Sequence, residues 1–207
     1  MEFQHLLTLI EGVQFDTIYH EHYFYFSLQS VLGIFRAHGL YVFDVEELPT
    51  HGGSLRVYAS LGCQRHVTMS VRDVYNREIA AGLHRPEGYK GFQAKVDDVA
   101  SNVWTFLTER SNVAAYGAPA KGSTFLNFCG VDSDRVRFAV DDSPHKQGKL
   151  MPGSGVPIVG REHLLEQKPD YVLILPWNLA GPIRERNPEV AAWGGKWVTA
   201  IPEIEIL

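Results

Sequence analysis

Apolar residues recur with the helical period at Leu28, Val31, Leu32 and Phe35, polar positions fall between them, and Ser27 and His38-Gly39 supply a start and a stop. The spacing predicts a helix over residues 28–38. The same period at Val96, Val99, Val103, Phe106 and Leu107 predicts a second helix over Phe92 to Glu109. Two β-branched and aromatic runs, Leu40 to Val45 and Ser54 to Ser60, flank a Pro/Gly-bearing segment, EELPTHGG, and predict an antiparallel hairpin with a long tip. Phe3 to Ile10 is apolar and mildly helical, and Phe15 to Ile18 reads as a short strand. Residues 62–91 are polar and glycine-bearing, a connector with helical character over Val67 to Ala81.

Beyond Asn112 the pattern changes. Short, continuously apolar runs at Val113 to Tyr116, Val136 to Val140, Val156 to Val159, Tyr171 to Leu175 and Trp197 to Ile201 alternate with helical segments at Phe125 to Cys129, Arg161 to Gln167 and Leu179 to Trp193. Strands that are apolar throughout are buried on both faces, so this half predicts a parallel sheet with helices on both sides. The fold class is α/β.

Composition narrows the function classes. The 207 residues carry 19 Lys and Arg against 24 Asp and Glu, a net charge of −5, with no basic cluster, which disfavours a nucleic-acid or anionic-membrane partner. No apolar run has the length of a membrane span. Cys63 and Cys129 lie far apart and fit neither a disulfide framework nor a metal-ligand spacing, so they read as reduced thiols of a cytoplasmic protein. No metal site is expected.

The densest chemistry lies at Tyr19-His20-Glu21-His22-Tyr23-Phe24-Tyr25-Phe26, two histidines, a glutamate and three tyrosines within eight positions, next to apolar residues that would exclude water. An imidazole beside a carboxylate or a phenol is how a general base is oriented near neutral pH. Tyrosines and histidines also pack at half-buried strand ends, and the residues leave both readings open. Three loops end predicted strands, where doubly wound sheets bind ligands. Gly117-Ala118-Pro119-Ala120-Lys121-Gly122-Ser123-Thr124 has the glycines, helix start, lysine and hydroxyls of a phosphate-binding turn. Asp141-Asp142-Ser143-Pro144-His145-Lys146 carries an acidic residue where a ribose hydroxyl can be received, and Pro176-Trp177-Asn178 ends a third strand. Each also has a plain reading as a tight turn.

The runs TIYHEHYFYFSLQSVLGIFRAHGLYVFDVEELPTHGGSLRVYAS, YGAPAKGSTFLNFCG, VDDSPHKQGKLMPGSGVPI and DYVLILPWN together resemble the S-adenosylmethionine-dependent sugar C-methyltransferases, which act on nucleotide-linked keto-deoxysugars. That family joins a zinc-binding N-terminal domain, a central Rossmann-like methyltransferase domain and a Rossmann-like C-terminal domain. The resemblance covers residues 1–61 as the end of the central domain, 62–111 as a helical connector and 112–207 as a substrate-binding domain; the zinc cysteines and the glycine-rich cofactor loop have no counterpart here. It implies a catalytic set of Tyr19, Glu21 and His22. His22 would remove the proton next to the sugar ketone, Glu21 would orient it, and Tyr19 would hydrogen-bond the sugar. His20, Gly117, Lys121, Ser123, Thr124, Asp141, His145 and Lys146 would then face the nucleotide sugar. The implied cofactor is S-adenosylmethionine, with its site largely outside this chain. A nucleotide-binding module without catalysis is the alternative, and the open sheet edge makes a second copy a candidate partner.

Overall fold

The structure, a computed structural model, describes residues 1–62 and 64–207, so Cys63 lies outside the described residues. The chain divides into two compact units, one of Met1–Val13 with His22–Gln93 and the other of Gln14–Glu21 with Ala94–Leu207.

In the first unit, strand β1 (Glu2–Gln4) leads into helix α1 (Leu6–Glu11), where a single helix was expected from residue 3. Helix α2 (Leu28–Ala37) starts where the pattern predicts, and the Ser27 hydroxyl accepts the Ser30 N–H at 3.1 Å as its cap. Strands β2 (Leu40–Leu48) and β3 (Ser54–Leu61) pair antiparallel, in the sheet order β1-β3-β2. The hairpin tip is shorter than expected. Glu46, Glu47 and Leu48 join the ladder because it places Glu46 opposite Arg56, whose guanidinium reaches Glu46 and Glu2. Helix α3 (Met69–Ala80) covers the sheet through Val71 and Val74, which pack with Leu28, Val31, Val42, Val45, Leu55 and Val57 into one core.

Glu78 is the exception on that face. It follows Val71 and Val74 at the helical interval and is fully buried. Its carboxylate accepts the Leu28 N–H at 2.5 Å and the Gln29 N–H at 2.9 Å, two of the donors that the first turn of α2 leaves without helical partners. The buried His5 ring completes the cluster, with Nε2 at 2.8 Å from Glu78 Oε1. The downstream end of the Tyr19–Phe26 stretch is thereby anchored, since Leu6 N–H also donates to the Phe26 carbonyl at 3.0 Å.

In the second unit, helix α4 (Phe92–Glu109) precedes a six-stranded sheet ordered β6-β5-β4-β7-β8-β9. Its strands are β4 (Val113–Tyr116), β5 (Ala139–Val140), β6 (Ile158–Val159), β7 (Tyr171–Ile174), β8 (Lys196–Thr199) and β9 (Glu205–Ile206). The first five are parallel and β9 runs antiparallel at the edge. Numbered within the unit, this is the 3-2-1-4-5-6 order of the Rossmann fold. The α/β expectation holds, and β9 was not foreseen. Helix α5 (Ala120–Phe128) follows β4, α6 (Arg161–Gln167) follows β6, and α7 (Ala180–Arg186) and α8 (Glu189–Ala192) follow β7. Ala114, Tyr116, Val172 and Ile174 face α6 to α8 through Leu164, Ile183 and Val190. On the opposite face Phe106 of α4 meets the Tyr171 ring edge-on at 5.3 Å. The sheet is covered on both sides.

Candidate functional site

Residues 19–21 form a turn and residues 22–25 belong to no helix or strand. The water exclusion expected of this stretch is not found. His20 and Glu21 are 83% and 67% exposed, Tyr23 and Phe24 are 82% and 73% exposed, and His22 is exposed. The carboxylate of Glu21 lies 3.9 Å from His20 Nε2, so its ion pair is with His20, whereas the His22 ring lies edge-on to Tyr25 at 6.5 Å. The Tyr19 phenol is half-buried beside His20, and its pKa is raised, first by burial and then by the charges of Glu21 and Asp16. It stays protonated and can donate a hydrogen bond. The division between the units falls between Glu21 and His22.

The predicted short strand over Phe15 to Ile18 is instead a single 3-10 turn, Phe15–Thr17, and all three of its residues are buried. It is bound within the second unit. The Phe15 ring packs against Phe125 at 6.0 Å and Phe128 at 4.9 Å on α5. Asp16 is fully buried, and Trp177 Nε1–H donates to its Oδ2 at 2.8 Å. Burial outweighs the attraction of Lys121 and this hydrogen bond, and pushes the Asp16 carboxyl up to about 6. Its Oδ1 has no hydrogen-bond partner among the described residues.

The loops after β4, β5 and β7 converge at this end of the sheet. Gly117 sits at φ +86, and a Cβ there would lie 2.5 Å from Pro176 Cδ. Replacing Gly117 with alanine is expected to cost about 1–3 kcal/mol, read as a lower urea midpoint at unchanged m. Lys121 is half-buried, with Nζ bonded to Asn178 Oδ1 and 4.3 Å from the centre of the Trp177 ring. Burial lowers its pKa, and the Asp16 charge opposes that. Asp141 ends β5 with Oδ2 accepting the Ala118 N–H at 2.8 Å and Lys146 Nζ at 3.1 Å, and Oδ1 accepting the Ser143 N–H at 2.9 Å. Partial burial pushes that carboxyl up, but the Ser143 and Ala118 N–H groups and Lys146 outweigh it and hold its pKa below the usual range. Four of the predicted ligand residues therefore serve one another: Gly117 and Lys121 meet the loop after β7, and Asp141 and Lys146 bind the loop after β4. His145 is exposed, while Ser123 and Thr124 are half-buried on the first turns of α5. Cys129 is buried, and burial pushes its thiol up to about 12, as an inert packed cysteine requires.

Where β4 and β7 open into their loops, the place at which a Rossmann sheet takes a nucleotide, Asp16 is bound to Trp177 and Phe15 to Phe125. The Ala118 N–H that a phosphate or ribose would use is held by Asp141. The described residues of this crevice do not fit S-adenosylmethionine. A cavity of about 380 Å³ in the first unit, between α2 and the β2–β3 hairpin, is lined by residues that include Leu32, Arg36, Tyr41, Phe43 and Arg65 and by none of the predicted residues. Among the described residues no three His, Cys, Asp or Glu side chains are placed to hold a metal, and no helix is long and apolar enough to cross a membrane.

With that geometry in hand, comparison with known proteins is decisive on ancestry. Residues 49–202 match the C-methyltransferase C-terminal domain. The chain belongs to this family. It is also 36% identical, over 212 aligned positions and its whole length, to the C-methyltransferase NovU of Streptomyces niveus, and it spans about half the length of that relative. The family match covers the hairpin tip, β3, α3, α4 and nearly all of the second unit, which the sequence motifs had placed in the same family. Asp16 and Glu78 were not among the predicted site residues, whereas Trp177 lies in the third candidate loop. Glu78 could have been found as a carboxylate on the apolar stripe of its helix; Asp16 had no such signal.

Proposed function

We propose that this chain is the deprotonating and substrate-holding part of a C-methyltransferase acting on a nucleotide-linked keto-deoxysugar. The observation that carries the reading is the turn Tyr19-His20-Glu21, in which a half-buried, protonated phenol and an exposed carboxylate stand beside an exposed imidazole, followed directly in the chain by the exposed His22. A hydrogen on the carbon next to a ketone is weakly acidic. His22 removes it, and Tyr19 donates to the enolate oxygen that forms, since stabilisation of that developing charge lowers the barrier. Glu21, paired with His20, holds negative charge beside the imidazolium. The nucleotide end of the substrate lies along the rim of Ser123, Thr124 and His145. Lys121 and Lys146 lend positive potential to that rim from their engaged positions, with Gly117 and Asp141 shaping the loop. The family resemblance supplies the methyl donor, S-adenosylmethionine, whose electrophilic methyl group is what an enolate carbon attacks. A cytoplasmic location and pairing with a second copy belong to the same reading.

The test separates the half-reaction assigned to this chain from the whole. A thymidine-diphosphate keto-deoxysugar is incubated with the protein in D2O without cofactor, and loss of the proton next to the ketone is followed by NMR. Exchange catalysed by the protein is the expected result. Sugar binding by calorimetry with no exchange would replace the catalytic reading with that of a nucleotide-sugar binding module.

A further inference from the structure

The crevice at the switch point of the second unit is filled by the chain itself, and the filling is chemically specific. Trp177 has its N–H edge on the Asp16 carboxylate and its ring face under the Lys121 ammonium. An aromatic ring is positive at its edge and negative over its face, so one indole satisfies an anion and a cation at once. Phe15 fastens the same turn between Phe125 and Phe128. Yet the arrangement is costly. Asp16 is fully buried, and among the described residues its Oδ1 has no hydrogen-bond partner and no cation closes to ion-pair distance, Lys121 attracting it only from farther off. An asparagine of the same shape would keep an acceptor for Trp177 without burying a charge. A carboxylate retained in such a place points to a role other than stability. The backbone says which. The Thr17 carbonyl accepts the Tyr19 N–H at 3.2 Å, so the turn that carries Asp16 runs directly into the turn that carries Tyr19 and Glu21.

We propose that Asp16 and Trp177 form a buried latch that positions the Tyr19–Glu21 turn on the second unit, with Asp16 acting as a positioning residue for the proton abstraction. The inference rests on the function proposed above. It also assigns the Rossmann-like crevice to holding the chain's own turn instead of a nucleotide. The charged and titratable groups that face Asp16 are Lys121 on α5, Cys129 just beyond it and Tyr19 on the next turn.

The experiment uses D16N, W177F, which keeps the ring face under Lys121 and loses the N–H, and the double variant D16N/W177F. Each is read by the cofactor-free deuterium exchange of the sugar, by melting temperature and by amide hydrogen exchange of residues 14–21. D16N is expected to melt no lower than the parent at pH 8. The folded Asp16 binds its proton more tightly than the unfolded one, so the native state gains stability from it below about pH 4 and loses that gain as pH rises through about 6. Despite that, D16N and W177F are each expected to slow the sugar exchange by roughly ten-fold with KM within about two-fold, and to speed amide exchange across residues 14–21. The double variant should lose no more than the worse single one, as partners in one interaction do. D16N exchanging the sugar at the parent rate, or losses that multiply in the double variant, would overturn the latch. Should the parent itself exchange no sugar hydrogen, the function proposed above fails, and the amide exchange still decides: protection of residues 14–21 unchanged in W177F removes the latch, and its loss upholds it.

Discussion

Replacing His22 with asparagine abolishes most of the sugar α-hydrogen exchange, by roughly 10²- to 10⁴-fold, the usual contribution of a positioned general base. The size is that of a positioned base, and His20, the other imidazole of the stretch, is the competing candidate because it is the ring that lies 3.9 Å from the Glu21 carboxylate. The substitution leaves the fold alone, since His22 is exposed and an exposed position tolerates a smaller polar side chain with little change in stability. His20→Asn makes the matching comparison and separates the two rings: a small effect there and a large one at residue 22 supports the assignment. The reverse ranking would move the base to His20. Rates are measured at fixed pH in D2O by NMR, with melting temperatures alongside, so that a loss of folding cannot pass for a loss of catalysis.

Glu78→Ala destabilises the chain by about 3–5 kcal/mol, a large part of the 5–15 kcal/mol that holds a domain together. The carboxylate is fully buried and accepts from Leu28 N–H, Gln29 N–H and His5 Nε2, so its removal strands two helix-start donors and a buried ring in an apolar surround. Glu78→Gln, which keeps one oxygen and turns an amide donor toward groups that themselves donate, should lose about 1–3 kcal/mol. The contrast within the same helix is Arg77, whose 2.6 Å pair with Glu47 has both side chains about half exposed, 50% and 51%. Removing Glu47 should leave the urea midpoint almost unmoved, because solvent already screens that pair. Equal midpoints for Glu78→Ala and the parent would show that α2 does not depend on this carboxylate.

Much of the fold was legible because it follows from local periods. The i, i+3, i+4 spacing marked α2 and α4, and the unbroken apolar runs marked β4 and β7, the two central strands whose residues are buried on both faces. Runs whose apolar length exceeds their pairing were overread. Val136 to Val140 forms a regular strand only at Ala139 and Val140; before it the chain touches β4 through two backbone hydrogen bonds, Arg137 N–H to the Val113 carbonyl and Ala115 N–H to the Phe138 carbonyl. The Phe15 to Ile18 segment has strand-like composition, yet Phe15, Asp16 and Thr17 all turn inward, which three successive residues of a strand cannot do.

The residues proposed to carry proton chemistry, Tyr19, Glu21 and His22, and the family the chain belongs to were legible in the sequence itself, because both lie in short contiguous motifs. What only the tertiary structure decided is the surround of those motifs. Asp16 meets Trp177 from 161 positions away, and Glu78 meets the start of α2 from 50 positions away. The sequence therefore shows two ordinary acidic residues, and burial turns them into the supports of the turn between them: the cost of a buried carboxylate depends on which donors the fold brings to it, and no local pattern encodes that.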